Sequence, residues 1–262
     1  MRDSDQQYWC DAATEWLQTS PQRTWRRHSD CVNASLVGRW LPAMRLGRLL
    51  KTDAFDEAVS AGVFPQLAEH AATVIALDIS FKTVAAAALR YRDLAVVAAD
   101  LRRLPFGDGS LNAVVSLSSL DHFRTFDELA ASLRELHRVL PPGGQLILTL
   151  DNLMNPLVAL RNALPFSLMN RLGIVPYRIG RTAGPRRLQG LLEKTGFTVE
   201  EIGAVMHVPR VFAVALANLV DRLGSDSIRR GFLGFLLSFE RLARWPTCYL
   251  TGYFVAVRAR RP

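Results

Sequence analysis

The 262-residue chain is 49% hydrophobic, enough for a sizeable core in one large α/β domain or a domain with an elaborated cap. Its cysteines, Cys10, Cys31 and Cys248, are scattered and odd in number, which indicates neither a disulfide framework nor a metal cluster. The polar first residues do not read as a signal peptide, and every apolar run is far shorter than the roughly 20 residues that span a bilayer. We therefore expect a cytoplasmic protein without a metal site.

The net charge of +8 is carried by the C-terminal part of the chain. Residues 151–262 hold 16 basic and 7 acidic residues, whereas residues 1–150 hold 16 basic and 17 acidic ones. Such a basic region suits an anionic lipid surface, an acidic substrate or nucleic acid. The arginines mostly come singly and without interleaved aromatic residues, so nucleic acid is the least favoured partner. A merely solvated basic surface is an equal alternative.

Residues 1–45 are predicted to form an N-terminal helical extension. A helix is expected over residues 5–17, with one apolar face that packs on the body of the protein or covers its site. That face comprises Tyr8, Trp9, Ala12, Ala13 and Trp16. The following segment, residues 20–28, is basic and predicted to be rich in turns, and we assign it no chemistry.

Residues 47–58 are predicted to form a first strand that enters a helix. No glycine occurs from residue 48 to residue 61. The G-x-G-x-x-G fingerprint of dinucleotide-binding proteins is therefore excluded in its usual form, which argues against an NAD-dependent dehydrogenase. Instead, four charged residues crowd the turn. They are Lys51, Asp53, Asp56 and Glu57. Their plain alternative role is to stabilise the start of the helix.

Two apolar runs, residues 73–77 and 94–99, each end in an aspartate, Asp78 and Asp100. Runs without polar alternation are typical of strands buried on both faces, and the alanine-rich residues 80–90 between them suit a crossover helix. In a parallel sheet both aspartates would then lie side by side at the carboxyl-end rim, where ligands bind. Two carboxylates suit hydroxyl and amino donors. The alternative is that each aspartate only caps the following helix or turn.

Further strands and helices alternate along the rest of the chain. Strands are predicted over residues 111–119, 145–150, 197–207 and 249–258, and helices over residues 126–140, 156–173, 185–197, 211–223 and 228–244. We expect one domain over residues 46–262, with helical cap insertions at about 153–195 and 208–245. The cap helices would cover the rim, because apolar helices cannot stay exposed, and would form a substrate pocket that is apolar inside and basic at its mouth. The arginines assigned to that mouth are Arg161, Arg171, Arg178 and Arg181. The alternative is that these helices only thicken the core and that their arginines only solvate it.

Several of these motifs together resemble one known family. The strand ending at Asp78, then Asp100, the turn Leu-Pro-Phe-Gly-Asp-Gly-Ser-Leu at residues 104–111, and Arg-Val-Leu-Pro-Pro-Gly-Gly at residues 138–144 resemble class I S-adenosylmethionine-dependent methyltransferases of the type 11 group. The resemblance covers roughly residues 46–152. It implies a Rossmann-like, seven-stranded, mostly parallel sheet with the last strand antiparallel and helices on both faces.

The resemblance also implies S-adenosylmethionine as cofactor and a set of binding residues. Asp78 would accept the ribose hydroxyls, Asp100 and the Leu101 amide would read the adenine, and Ile79 and Ser118 would lie beside the cofactor. The family has an acidic residue and then Gly-x-Gly-x-Gly after the first strand; the aligned positions here are Lys51, Asp53, Phe55 and Glu57. In their place Lys51 would meet the methionine carboxylate, and Asp53 or Glu57 the ammonium.

Asp121 and His122 follow the strand at residues 111–119 and are the candidate catalytic residues. A carboxylate beside an imidazole at a strand end is suited to removing a proton from an oxygen or nitrogen acceptor, since histidines ordinarily titrate near neutral pH. The alternative is a helix-capping aspartate and a histidine packed on the cofactor.

The sequence therefore predicts a methyltransferase for a small-molecule or lipid-like acceptor. The basic C-terminal region would suit an anionic acceptor or peripheral contact of the protein with an anionic membrane surface. The alternative is a non-catalytic binding or scaffold protein that kept the fold and lost the cofactor.

Overall fold

The computed structural model describes residues 2–19, 22–171, 175 and 177–262, and its centre is a seven-stranded sheet. The strands are β1 (Leu46–Thr52), β2 (Ala71–Asp78), β3 (Ala95–Ala98), β4 (Ala113–Leu117), β5 (Gln145–Asp151), β6 (Thr198–Val205) and β7 (Phe254–Arg260). Their order across the sheet is β3-β2-β1-β4-β5-β7-β6. Strand β7 is antiparallel to β5 and β6, and the remaining neighbouring pairs are parallel. The predicted fold is confirmed.

The helices lie on both faces of the sheet and around its rim. They are α1 (Arg2–Thr19), α2 (Arg23–Trp40), α3 (Phe55–Val59), α4 (Phe64–His70), α5 (Phe81–Arg90), α6 (Phe126–Val139), α7 (Pro156–Ala163), α8 (Phe166–Arg171), α9 (Pro185–Lys194), α10 (Arg210–Leu223), α11 (Asp226–Ser238) and α12 (Cys248–Thr251). Two 3₁₀ turns span Leu120–His122 and Phe239–Arg244. Residues 172 and 173, the end of one predicted helix, lie outside the described residues. Within the described ranges, every helix is too short or too polar to cross a bilayer.

Two apolar layers cover the faces of the sheet. Successive strand residues point to opposite faces, so Leu49 of β1 belongs to one layer and Leu50 to the other. The first layer is built with α2, α4, α5 and α10, and the second with α6 and α9. Each large side chain buried here contributes about 1.5–3 kcal/mol of transfer free energy. This packed sheet fixes the strand ends on which the site is built.

Strand β3 differs from its prediction as a strand buried on both faces. Ala95 and Ala98 are exposed, although the strand pairs in parallel with β2 as expected. The reason is its position at the edge of the sheet, where less of the neighbouring structure covers it. An apolar run alone does not distinguish an edge strand from a central one.

Helix α2 corrects the prediction of a turn-rich segment over residues 20–28, because the helix begins at Arg23. Its buried residues Trp25, His28, Val32 and Leu36 recur at helical spacing and pack against α10 and α11. The basic residues between them conceal this pattern in the sequence. The two helices α1 and α2 thus form the segment that precedes β1.

The last strand is also shorter than predicted. It begins at Phe254, because Cys248–Thr251 form the short helix α12 instead. Asn152 holds the connection in place by donating hydrogen bonds from its side-chain amide to the carbonyls of Tyr249 and Gly252, at 2.7 and 2.9 Å. This contact positions the start of β7 beside the carboxyl end of β5.

Candidate active site

A cavity of about 1210 Å³ opens at the carboxyl ends of the parallel strands. Small-molecule sites typically measure about 300–1,000 Å³, so this cavity has room for two ligands side by side. The residues that follow four neighbouring strands all line it, namely Asp53 after β1, Asp78 at the end of β2, Asp100 after β3 and Ser118 after β4. The predicted rim is therefore the floor of one continuous cavity.

The backbone around this cavity is strained. Among the described residues, four non-glycine residues have a left-handed φ, and all four line the cavity. They are Gln22 (φ 65°), Asp53 (φ 72°), Ser118 (φ 53°) and Met206 (φ 64°). Such conformations each cost of order 1–3 kcal/mol and cluster where a protein binds or reacts with a ligand. Asp53 shows that the turn after β1 keeps a shape that glycine favours, without the glycine.

Asp78 is held by two backbone amides. Its carboxylate accepts hydrogen bonds from the N–H of Ser80 at 2.8 Å and of Ala54 at 3.3 Å. Burial raises the pKa of Asp78 to about 6, although these two N–H donors oppose the rise. The carboxylate therefore still gains from further donors, such as ligand hydroxyls.

Asp53 lies close to Asp78 and faces the same cavity. It accepts a hydrogen bond from the N–H of Phe55 at 2.7 Å. Burial and the negative charge of Asp78 raise the pKa of Asp53 well above its usual range. The two carboxylates make this corner of the cavity a place for a cationic or multiply hydrogen-bond-donating group.

Lys51 and Glu57 lie behind this corner, away from the cavity lining. Lys51 Nζ is 2.7 Å from Glu57 Oε2, and both side chains are almost completely buried. Burial disfavours the charge on Lys51, but the carboxylates of Glu57 and Asp53 outweigh it and raise the lysine pKa. Glu57 Oε1 also accepts the N–H of Val63 at 2.9 Å. The pair therefore stabilises the turn from inside, and of the predicted trio Asp53 is the residue that faces the cavity.

Asp100 lines the cavity but is also engaged by Arg102. The guanidinium contacts both carboxylate oxygens at 2.7–3.0 Å and also Glu128 at 2.7 Å. Leu101 and Ile79 lie on the cavity lining. This strand end is thus organised by charge pairs, and Asp100 is oriented by them.

Helix α1 covers the rim from outside. All five residues of its predicted apolar face line the cavity. The helix is fastened to the rim by Gln6, which donates to the carbonyl of Ile79 at 3.2 Å, and by Asp5, which pairs with Arg102 and Arg124 at 3.4 and 3.1 Å. Trp9 packs on His122 with 4.7 Å between ring centroids. Helix α1 is a cover over the cavity.

The two candidate catalytic residues lie in the 3₁₀ turn after β4. Asp121 is 3% exposed, and its Oδ2 accepts a hydrogen bond from Ser118 Oγ at 2.8 Å. Its Oδ1 has no hydrogen-bond partner among the described residues and lies 3.8 Å from His122 Nε2. His122 Nδ1 is likewise buried without such a partner in the described part of the chain. The turn therefore presents unsatisfied polar atoms beside the cavity.

A second segment locks this turn in place. Gly180 N–H donates to the carbonyl of Asp121 at 2.7 Å, and Arg181 N–H donates to that of Phe123 at 2.6 Å. A side chain at Gly180 would lie 2.1 Å from the Phe123 carbonyl oxygen, so the close approach requires glycine. This pairing brings Tyr177 to His122, with 5.4 Å between their ring centroids.

A small polar chamber of about 20 Å³ adjoins the cavity beside His122. It is lined by Ser118, Asp121, His122, Asp151, Arg161, Tyr177, Ile179 and Arg210. Arg161 donates to the carboxylate of Asp151 and to the hydroxyl of Tyr253. Burial and the charge of Asp121 raise the pKa of Asp151, and Arg161 partly offsets this. The sequence analysis did not identify Tyr177 or Arg210 as site residues. The position of Asp151 at the end of a strand could have indicated that this residue belongs to the site.

The cap differs from its prediction in two respects. Residues of α7, α8 and α10 line the cavity, whereas α11 packs on α2 and α10, away from the rim, and α9 packs on the sheet. The predicted basic mouth is wrong for Arg161, whose side chain is 12% exposed and points into the polar chamber. Arg178, another of the predicted arginines, is exposed and lines the cavity, together with exposed apolar residues. These apolar residues are Leu157, Leu160, Leu164, Phe166 and Val211.

His207, which follows β6, has a hydrogen-bond partner at each ring nitrogen. Its Nδ1 pairs with Thr251 Oγ1 at 2.8 Å and its Nε2 with the carbonyl of Ala204 at 3.1 Å. The imidazole is 2% exposed. It therefore fixes the link between β6 and α12.

Comparison with known proteins identifies the central part of the chain. Residues 58–148 match the family model described as a methyltransferase domain. The chain is 42% identical over 81 residues to a demethylmenaquinone methyltransferase of Beutenbergia cavernae, covering 31% of this chain and 32% of that protein. It is 32% identical over 162 residues to a Mycolicibacterium smegmatis protein named "Probable S-adenosylmethionine-dependent methyltransferase", covering 62% and 56% of the two chains. The matches thus span between a third and just over half of these relatives.

Solved structures agree on the fold. The chain superimposes on the protein bound by the Trm112 methyltransferase activator in a Haloferax volcanii complex with a TM-score of 0.62, at 15% identity, over 95% of this chain and 97% of that one. The superposition extends the shared fold to nearly the whole chain. The family match over residues 58–148 and the observed strand order lead to the same assignment. Residues 58–148 therefore form a methyltransferase domain of the class I S-adenosylmethionine-dependent type, within a sheet that has the same fold.

Proposed function

We propose that the protein transfers a methyl group from S-adenosylmethionine to a small, lipid-like acceptor through an oxygen or nitrogen atom. The observation that carries the proposal is the single cavity in which the carboxylates of Asp53 and Asp78 lie at one end and the capped, apolar-rimmed space lies at the other. The names of the two curated relatives, one for a demethylmenaquinone and one for the cofactor, support it.

The residues at the carboxylate end fit the cofactor. Asp78 already accepts two amide donors on one side, and its raised pKa shows that its negative charge is poorly compensated. Two ribose hydroxyls would supply the missing donors. Asp53 would take the ammonium of the methionine part, while Ile79 and Leu101 would bound the adenine. Phe55 lines the cavity and would pack along the same end of the cofactor.

When bound, the sulfonium supplies an activated methyl group, and the protein has to align the acceptor and remove its proton. Asp121 and His122 lie beside the cavity with unsatisfied polar atoms and would accept that proton. Helix α1, which packs on His122 through Trp9, would exclude water from the reacting atoms. The apolar mouth would hold the hydrocarbon part of the acceptor.

Transfer of labelled methyl groups tests this function. Alkylphenols, naphthols and alkylamines, incubated with the protein and labelled cofactor, should include at least one labelled acceptor. Asp121→Asn and His122→Ala should each lower kcat by about 100-fold, because general base catalysis contributes about 10²–10⁴. His70→Ala, on α4 away from the cavity, is the matched control and should stay within about twofold of wild type. Cofactor binding without transfer to any acceptor would instead favour the non-catalytic binding protein.

Peripheral contact with an anionic membrane is the second part of the proposal. On α10, Phe212, Leu216, Leu219 and Leu223 form one exposed stripe, with exposures of 48–77%. Val211, which is both exposed and on the cavity lining, joins this stripe to the apolar mouth. Residues 151–262 carry 16 basic and 7 acidic residues, which suits acidic headgroups. We infer that this face rests on the lipid surface.

Co-sedimentation with vesicles tests the contact. The protein should pellet with vesicles that contain anionic lipid, and raised salt should reduce pelleting by screening the charges. Replacing Phe212 and Leu216 by serine should reduce the bound fraction at least about tenfold, since each apolar side chain contributes about 1.5–3 kcal/mol on full burial. Leu89→Ser, at an exposed position on α5, should leave pelleting unchanged. Equal, negligible pelleting of every variant under every condition refutes membrane contact.

A further inference from the structure

The polar chamber beside His122 has room for a small polar group. Its volume of about 20 Å³ exceeds the roughly 10–15 Å³ that one water needs. It opens beside the main cavity, since Ser118, His122, Tyr177 and Arg210 line both. A ligand in the cavity can therefore place a single polar group in the chamber.

The chamber offers both an unused acceptor and a strong donor. Asp121 Oδ1 is buried and lacks a hydrogen-bond partner among the described residues, although the other oxygen of this carboxylate is bonded to Ser118. An unmade hydrogen bond at such an atom costs about 1–3 kcal/mol or more. Arg210 lines the same chamber, interacts with Tyr177 and lies over the Tyr253 ring, with 5.1 Å from Cζ to the ring centroid. A hydroxyl group would satisfy both sides, because it donates one hydrogen bond and accepts others.

The charges around the chamber favour a group that becomes negative. Arg161 is paired with Asp151, so these two charges largely cancel. Asp121 and Arg210 remain, together with His122 and the hydroxyls of Tyr177 and Ser118. When a proton passes from a bound hydroxyl to Asp121, the carboxylate becomes neutral and the new oxyanion faces Arg210. In a site that excludes water, a pre-positioned guanidinium stabilises such a charge strongly.

We propose that this chamber binds an acidic hydroxyl of the acceptor, of phenol or enol type, with Asp121 accepting its hydrogen bond and Arg210 stabilising the oxyanion. An alcohol is too weak an acid to give up its proton to a carboxylate. An ammonium group would be repelled by Arg210. This inference rests on the proposed methyl transfer and restricts the acceptor to compounds with an acidic hydroxyl.

The step balances without a further reactant. The O–H proton would move to Asp121, the oxyanion would attack the methyl group, and the methyl–sulfur bond would break as the new oxygen–methyl bond forms. The sulfonium becomes a neutral thioether, and its positive charge cancels the negative charge of the acceptor. The proton leaves Asp121 to solvent by way of His122, which is 24% exposed and lies 3.8 Å away.

Titration of 4-nitrophenol on the protein tests the subsite, because nitrophenolate absorbs visible light and nitrophenol does not. The matched ligand is 4-nitroanisole, which has the same shape and no ionisable hydroxyl. Wild type should bind 4-nitrophenol at least about tenfold more tightly and shift the appearance of the nitrophenolate band to lower pH by about one pH unit. Arg210→Met should remove both effects, and Arg210→Lys should retain part of them. Arg222→Met, at an exposed position of the same helix, should behave as wild type.

Every outcome of these titrations either supports or contradicts the proposed subsite. Equal binding of the two ligands, no binding of either, or an unchanged nitrophenolate band in wild type contradicts the subsite. So does full retention of the shift in Arg210→Met with a native circular dichroism spectrum. Binding of S-adenosylhomocysteine is measured on the same samples. Cofactor binding without discrimination between the ligands refutes the chamber alone, whereas discrimination without cofactor binding refutes the methyltransferase and leaves the oxyanion subsite.

Discussion

Asp78→Asn is expected to lower the affinity for S-adenosylhomocysteine by about 100-fold while it stabilises the ligand-free protein. Hydrogen bonds to a charged partner contribute about 1.5–3 kcal/mol each, so losing the charge under two ribose hydroxyls is a large effect. The same carboxylate destabilises the folded protein when no ligand is bound. Burial raises its pKa to about 6, which means that ionisation is costly in the folded state.

The sign of the stability effect follows from the raised pKa. A carboxyl group with a higher pKa in the folded than in the unfolded protein stabilises the fold at low pH, and this contribution is lost as the pH rises through about 6. Asp78→Asn should therefore raise the unfolding free energy most above pH 6, by about 1 kcal/mol, and little below pH 4. Removing the charge also relieves Asp53, whose pKa is raised partly by Asp78.

Calorimetric titration and urea unfolding, each at several pH values, measure the two effects. Asp93→Asn, in an exposed turn, is the control and should change neither. Unchanged cofactor affinity in Asp78→Asn would remove this residue from the binding site. A loss of stability at neutral pH would show that its two amide hydrogen bonds outweigh the cost of its charge.

Lys51→Met is expected to destabilise the protein by about 3–5 kcal/mol, because it leaves the charge of Glu57 buried and uncompensated. The loss should shrink at acid pH, where an isolated buried carboxyl group becomes protonated. The double variant Lys51→Met with Glu57→Gln should recover most of the stability, since the amide oxygen can still accept the Val63 N–H. Urea denaturation of the three proteins gives these free energies.

A control variant and a threshold value decide whether the Lys51→Met result supports the role of the ion pair. Lys82→Met removes a lysine that bonds the Thr14 hydroxyl at 2.7 Å in a half-buried contact, and it should cost less than about 1 kcal/mol. A loss below about 1 kcal/mol in Lys51→Met would mean that the turn after β1 does not depend on the pair. The lysine would then again be a candidate for direct contact with the cofactor.

The sheet and its rim were predictable because they depend on local pattern. Apolar runs that end in an aspartate mark β2 and the turn after β3, and the rule that ligands bind at carboxyl ends places Asp78 and Asp100 correctly on the cavity. The apolar face of α1 was predictable for the same reason, since its spacing is helical. Helix α2 was missed because arginines lie between its buried residues and because one of those buried residues is the polar His28.

The chamber could not be predicted, because tertiary packing assembles it. Tyr177 reaches His122 through the close approach of Gly180 to the 3₁₀ turn, and Arg210 arrives at the start of a helix far along the chain. No local periodicity marks either residue as part of a site. The pairing of Lys51 with Glu57 was also hidden, since charged residues at a turn after a strand ordinarily suggest solvent or ligand contact.

Calorimetric titration of the wild-type protein with S-adenosylhomocysteine tests the central claim most directly. One site of micromolar affinity is expected, weakening as the pH falls through about 6 because Asp78 becomes protonated, and NAD should give no heat. Absence of heat at millimolar S-adenosylhomocysteine, with a cooperative unfolding transition that proves the protein folded, would contradict the claim that this cavity binds the methyl donor.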